Sequence, residues 1–211
     1  MRSLQFKILL LAATIACVTA CSQERASGTA ENTVAVAPAS GTVATPVPKK
    51  ELDVPYVPTP QTVVDEMLAM AEVTGNDVLY DLGSGDGRIP ITAAKKFGTR
   101  GVGIDLNPVR VREANENAKE AGVTDKVRFT EGDLFQQDFN EATVVTLYLL
   151  PDVNIKLRPK LLAMKPGTRV VSHNYNMGDW DPEKMKTMKT PDGVEHHIYF
   201  WRVPEKQTAD K

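Results

Sequence analysis

The chain has 211 residues, with 25 Lys plus Arg against 27 Asp plus Glu, 42% hydrophobic and 6% aromatic residues, the profile of one ordinary globular domain with accessories. The first 21 residues hold two bases and no acid. The remaining 23 bases and 27 acids give a formal charge of −4, which argues against a nucleic-acid partner held through a basic face. Both cysteines, Cys17 and Cys21, fall in those first 21 residues, which excludes a disulfide, a thiolate zinc site and a Cys nucleophile from the rest.

At the start, Arg2 and Lys7 precede an apolar run from Ile8 to Ala20, short for a bilayer span and suited to an export signal. Val18-Thr19-Ala20-Cys21 then resembles the lipobox of bacterial lipoproteins, which implies removal of residues 1–20 and lipidation of Cys21. With Ser22 in second place, that resemblance implies attachment to the outer membrane, facing the periplasm. A signal-anchor with incidental cysteines is the plainer alternative. Residues 21–51, rich in Ala, Thr, Ser, Val and Pro, bury too little to fold and read as a tether. The folded domain is expected over residues 52–204 and a polar tail over 205–211.

Within the domain, Thr59-Pro60 reads as a cap and first-turn proline, and Val63, Val64, Met67, Leu68 and Ala71 recur at helical spacing. Asp77 to Leu82 is a buried strand stopping at a glycine cluster. Ile89 to Phe97 is a helix ended by Gly98, and Gly101 to Ile104 a strand. Asn107-Pro108 opens a helix closed by Gly122. Val127 to Phe129 and a longer segment, Thr143 to Leu150, are strands. Asp152 caps a helix to about Met164, and Arg169 to Ser172 is again a strand. Lys184 to Lys189 reads as a solvated face or loop, and Glu195 to Val203 as an aromatic-rich final strand. Strands alternating with helices predict α/β architecture: a mostly parallel, twisted sheet with helices on both faces. The last strand, reached without a long crossover helix, is expected to pair antiparallel.

Asp81-Leu82-Gly83-Ser84-Gly85-Asp86-Gly87 sets an acid at a strand end and glycines at alternate positions before a helix. Glycine permits positive φ and close approach of backbone to ligand, although a tight turn would use the same residues. A dinucleotide fingerprint needs glycine where Arg88 stands, and no Gly-Lys-Ser/Thr phosphate loop occurs. Asp105, at the second strand's end, suits the two hydroxyls of a ribose, or else caps the turn before Asn107-Pro108. Asp133 suits an adenine amino group, with Leu134 offering backbone and apolar contact; an ordinary Gly-Asp turn is the alternative. All three acids follow successive strands on one sheet edge, so one extended ligand could meet them together.

Asp-x-Gly-x-Gly-x-Gly resembles motif I of the class I methyltransferases that use S-adenosyl-L-methionine, a Rossmann-like fold. That resemblance implies cofactor contacts from Asp81, Gly83, Ser84, Gly85, Gly87, Asp105, Leu106, Asp133 and Leu134. The order of Val54-Pro55-Tyr56-Val57-Pro58-Thr59-Pro60, the extended motif I through Ile89, Leu147-Tyr148-Leu149-Leu150-Pro151, Leu157-Arg158-Pro159-Lys160-Leu161 and Gly167-Thr168-Arg169-Val170-Val171-Ser172 narrows it. The chain is similar to the mitochondrial lysine methyltransferases acting on the ATP synthase c subunit and the adenine nucleotide translocase, and to their prokaryotic relatives. The likeness implies methyl transfer to an amine, a protein lysine, with Tyr56, Tyr148 and Pro151 as acceptor-side candidates and Leu150, His173 and Asn174 beside them. Core packing or turn formation would explain each of these equally well.

Leu149-Leu150-Pro151-Asp152 lacks the Asn/Asp-Pro-Pro-aromatic pattern of nucleic-acid amino methyltransferases, so no nucleic-acid partner is expected. His196-His197 cannot chelate one metal together, because neighbours on a strand face opposite ways. A tethered nucleoside-binding module without transfer activity, or a small-molecule methyltransferase, would use the same fold. A periplasmic location also conflicts with a cofactor made in the cytosol. The sequence is silent on oligomeric state.

Overall fold

The computed structural model describes residues 56–205. The lipobox, Cys21, the tether and most of the 205–211 tail lie outside the described residues, as do Val54 and Pro55. Seven strands form one sheet: β1 (Val78–Leu82), β2 (Arg100–Asp105), β3 (Val127–Glu131), β4 (Val144–Leu147), β5 (Arg169–His173), β6 (Lys184–Lys189) and β7 (Glu195–Arg202). Their order is β3-β2-β1-β4-β5-β7-β6. Strands β1 to β5 pair parallel, whereas β7 runs antiparallel to both β5 and β6. The expected antiparallel final strand is therefore present.

Helices α1 (Gln61–Met70), α2 (Arg88–Phe97), α3 (Pro108–Glu120) and α4 (Pro151–Leu162) connect or cover the strands. On one face, Val63, Val64, Met67 and Leu68 of α1 pack with Leu79, Val144, Val171, Ile198 and Phe200. Further along, Ala114 and Ala118 of α3 close on Ile91, Val127 and Phe129. The opposite face buries Tyr80, Leu82, Val145, Leu147 and Trp201 under Val153, Leu157 and Leu161 of α4. The alternation of Leu79 against Tyr80 between these two cores is the period-2 geometry of a strand covered on both sides.

Four local readings need correction. Thr59 does not cap α1: the N-cap position is Pro60, with no side-chain cap bond, and the Thr59 hydroxyl turns inward. Asp152 does not cap α4 either. Leu150, held extended (ψ 154°) before Pro151, is the N-cap, and Asp152 sits in the first turn, where a carboxylate favours the helix dipole. The expected long strand stops at Leu147, because Tyr148 to Leu150 leave the sheet to enter α4. Lys184 to Lys189 is solvated, as one of its two readings had it, but it is not a loop. It is the edge strand β6, antiparallel to β7. Its alternating Lys and Met carry no apolar run, and lysine is a usual occupant of an exposed sheet edge. Asn107-Pro108 behaves as predicted, the Asn107 side chain accepting from the Val109 amide at 3.0 Å.

Sequential strands proceed outward from β1 to β2 and β3 on one side, and from β4 to β5 on the other. The crevice at the carboxyl ends of β1 and β4 is thus the topological switch point, the place where open α/β sheets bind ligands.

Candidate active site

A cleft opens at this switch point, lined by the glycine loop, the ends of β2 and β3, the start of α4 and the segment before α1. Gly83, Gly85 and Gly87 all adopt positive φ (81°, 52° and 80°). The loop is tied to the next strand: the Gly83 and Ser84 amides both donate to the Ile104 carbonyl, at 2.8 and 3.0 Å. A Cβ on Gly83 would stand 2.7 Å from the Leu149 side chain, and one on Gly85 would stand 2.4 Å from the Tyr56 ring. Gly87 does another job. It packs against Phe129 and Ala114 beneath the loop and does not line the cleft.

Asp81 lies under this loop, fully buried. Its register neighbour on β4, Thr146, donates to its Oδ1 at 2.7 Å. Burial pushes the carboxyl up to about 7; the Thr146 bond opposes this, and Asp105 and Asp86 add to it. Asp105 accepts from the Gly85 amide (2.8 Å) and from the Asn107 amide (2.8 Å), one bond on each oxygen. Each oxygen keeps a lone-pair site for a ligand hydroxyl. Asp133, beside Leu134 in the cleft wall, accepts from the Phe135 amide at 3.1 Å, so the turn reading and the ligand reading share one side chain.

Two arginines line the cleft without giving it a free positive charge. Arg88 pairs with Asp86 through Nη2 and Oδ2 at 2.6 Å, and Arg110 pairs with Glu113. Burial would raise the Asp86 carboxyl, but the Arg88 bonds outweigh burial and hold it below the usual range. The segment before α1 crosses the mouth. Tyr56 lies on Gly85, the Arg110 guanidinium sits 4.6 Å from the centre of its ring, and Arg88 Nη1 donates to the Thr59 carbonyl at 2.8 Å.

The acceptor-side candidates separate. Tyr56 and Tyr148 line the cleft, while Pro151 does not; it borders a shallow depression with Asp152 and Lys156. Tyr148 lies against His173, with ring centres 3.9 Å apart, and Asn174 Nδ2 approaches its hydroxyl at 3.5 Å. Asn174 is held at φ 62° by exchanging bonds with the His197 backbone. His196 is buried and His197 half-exposed, on opposite faces as expected, and among the described residues no cluster of three His, Cys, Asp or Glu side chains could hold a metal. Sequence reasoning overlooked Thr59, Arg110 and Thr146 as site residues. Thr146 had a signal, a polar residue amid apolar neighbours in a buried strand; Thr59 had none beyond its cap-like context.

Buried Ser84 Oγ has no hydrogen-bond partner among the described residues, and Ser84 lines the cleft. Side-chain-free glycines that a Cβ would crowd, with carboxylates at two further strand ends, fit a ligand bearing an amino-acid end, a ribose and a base. S-adenosyl-L-methionine has these parts and supplies an electrophilic methyl group when bound. Fold and cleft together define a class I methyltransferase dependent on that cofactor.

Residues 81–184 match the ANTKMT methyltransferase domain. The chain is 48% identical over 155 residues to a protein-lysine N-methyltransferase of Saccharolobus islandicus (strain REY15A), covering 72% of this chain and 95% of that one. It is 36% identical over 133 residues to the adenine nucleotide translocase lysine N-methyltransferase of Mus musculus, 62% of this chain but 57% of the mouse protein. Among solved structures, an RNA methyltransferase from Salinibacter ruber in complex with S-adenosyl-L-homocysteine is 56% identical, covers 73% of this chain and 98% of that one, and superposes with a TM-score of 0.66. The chain belongs to this ANTKMT-type family of S-adenosylmethionine-dependent methyltransferases.

Proposed function

We propose that the enzyme methylates an amine, the side chain of a protein lysine. The observation that carries this reading is the charge of the cleft. Asp81, Asp86, Asp105 and Asp133 line it against Arg88 and Arg110; Asp86 and Arg88 offset each other, and Arg110 is engaged by Glu113, so the balance is acidic even with the Asp81 carboxyl raised. Such a surface favours a cationic donor and an amine, and offers little to a phosphate backbone. The name of the Saccharolobus relative, a protein-lysine N-methyltransferase matched over 95% of its length, supports it.

RNA is the second reading, favoured by the name of the Salinibacter relative, an RNA methyltransferase. Incubating the full chain with tritiated donor and separate protein and RNA fractions discriminates. Protease-sensitive label that mass spectrometry maps to methylated lysine is the expected outcome. Label removed by ribonuclease would overturn the lysine assignment.

Attachment to the outer membrane through a lipid on Cys21 is part of the same proposal, resting on the lipobox alone. Cys21→Ser should abolish acyl labelling and release the protein from membranes; label that persists would place the lipid elsewhere. At that location the donor must come from outside the cytosol, so methylated periplasmic lysines are the signature to look for.

A further inference from the structure

β5 ends in His173, and β7 brings His196 alongside it. In that antiparallel pair His173 is opposite Ile198, so His196, two residues away, shares Ile198's face. His173 Nε2 and His196 Nδ1 are 2.9 Å apart, and His173 Nδ1 is 3.2 Å from Thr59 Oγ1. All three residues are buried. Hydrophobic side chains would fill this space at lower desolvation cost, so two imidazoles in series need an account. Thr59 supplies one, because it is the member of the chain that lines the cleft, as does Tyr148, whose ring packs on His173.

Only two directions satisfy every bond when both rings are neutral. Burial and the neighbouring His196 push the His173 imidazolium down to about 3, so neutral His173 has one N–H and one acceptor nitrogen. If His196 carries its proton on Nε2, then His173 donates through Nε2 and accepts at Nδ1, and the Thr59 hydroxyl donates inward. If His196 carries it on Nδ1, every bond reverses. In the first direction both rings carry the proton on Nε2, the tautomer that neutral histidine prefers in water, whereas the second needs the less favoured Nδ1 form twice. The first direction follows. It commits the Thr59 hydrogen to the interior, so that the oxygen of this cleft-lining residue can act only as an acceptor, while Arg88 holds the Thr59 carbonyl at 2.8 Å.

We propose that Thr59 contacts the methyl acceptor: its hydroxyl accepts an N–H of the incoming neutral amine, and His173 and His196 are positioning residues that keep this hydroxyl an acceptor. Resting on the amine reading above, the assignment explains how this chain orients a nucleophile without a charged base. An amine held by one N–H points its lone pair away from the holding oxygen, toward the donor side of the cleft. The N–C bond forms from that pair, the S–C pair stays on sulfur, and the surplus proton of the product ammonium passes to water. Acceptors without a hydrogen to donate, carboxylates and thiolates, are disfavoured by the same oxygen.

The ring nitrogens provide a test that needs no turnover. Nitrogen NMR of the full chain labelled at its three histidines should show His173 protonated on Nε2 and bare on Nδ1. A proton on Nδ1 would overturn the proposal. Adding Nα-acetyl-lysine methylamide, at a pH where its amine is partly neutral, to the S-adenosylhomocysteine complex should shift His173 Nδ1 through Thr59; an unmoved resonance counts against it. With the same amine as substrate, Thr59→Val should lower kcat about 10-fold and Thr59→Ser should restore it to within about threefold, with product-nucleoside affinity unchanged in both. Equal activity of the two variants, or a loss confined to donor binding, would also overturn it. A wild-type enzyme that methylates no amine sinks the amine reading itself, a failure distinct from a reversed tautomer.

Discussion

On the β1–β2–β3 side of the cleft, the glycine loop and the acids come from the carboxyl end of a strand or from the residues just after it: Gly83 to Gly85 after β1, Asp105 closing β2, Asp133 after β3. The β4–β5–β7 side is assembled differently. Tyr148 leaves β4 and His173 closes β5, yet their arrangement depends on Thr59, 114 residues before His173, and on His196 from an antiparallel strand. The first side is a repeated βαβ device, short in sequence and rigid in backbone. The second is a packing of side chains brought together from four separate segments of the chain.

This contrast can be broken at several points. The largest effect should come from Gly85→Val, which places a branched side chain at φ 52° and drives it into the Tyr56 ring. Calorimetry with S-adenosylhomocysteine should show affinity reduced about 100-fold or more. A variant that binds normally would show that the backbone there is not the donor cradle.

Asp105→Ala should follow, weakening the same binding by about 1 to 3 kcal/mol, since a charged acceptor is lost along with the tie to the Gly85 amide. Thermal stability should change far less than affinity. If the two fall together, Asp105 is chiefly structural.

The two sides should also respond to pH in opposite senses. The Asp81 carboxyl is raised to about 7 from the ordinary carboxylate range. The folded state therefore binds the extra proton, and this group's contribution to stability declines as pH rises toward 7. His173 is lowered to about 3, so its contribution is complete above about 6.5 and is lost as pH falls. Urea melts between pH 4.5 and 6.5 separate them. Relative to wild type, Asp81→Asn should gain stability as pH rises and His173→Gln should gain as pH falls. Curves parallel to wild type would remove the assignment for that residue.

The smallest effects belong to the rim. Tyr56, 43% exposed, covers Gly85 from outside, and Tyr56→Ala should cost about threefold in donor affinity, the worth of one partly exposed cation–π and packing contact. Pro151→Ala should leave donor affinity unchanged, because Pro151 is outside the cleft. A large loss there would mean that the α4 start contributes more than its position suggests.

Glycine loops, strand-end acids, the apolar period of α1 and the Gly and Asn-Pro bounds of α2 and α3 were legible in the sequence because each depends on neighbours only a few residues away. Asp81, Gly83, Gly85, Asp105, Leu106, Asp133 and Leu134 were found that way, and they meet in one cleft. Gly87 had the right spacing for the wrong reason, since its missing Cβ makes room for Phe129. Thr59 looked like a cap because Ser or Thr before Pro is common at helix starts, and nothing local reveals that His173 claims its hydroxyl. The edge strand β6 escaped notice because its stabilising partner is β7, and its own side chains are those of a solvated segment.

What the sequence determined by itself was the α/β alternation and the grouping of the glycine loop with the strand-end acids, whose geometry is enforced by backbone conformations available to glycine and by strand ends that parallel pairing must align. Only the tertiary structure decided which side chains form the β4–β5–β7 wall, the upward shift of the Asp81 carboxyl and the Thr59–His173–His196 chain. Burial and cross-sheet hydrogen bonds act between residues distant along the chain, and they exist only once the sheet has closed.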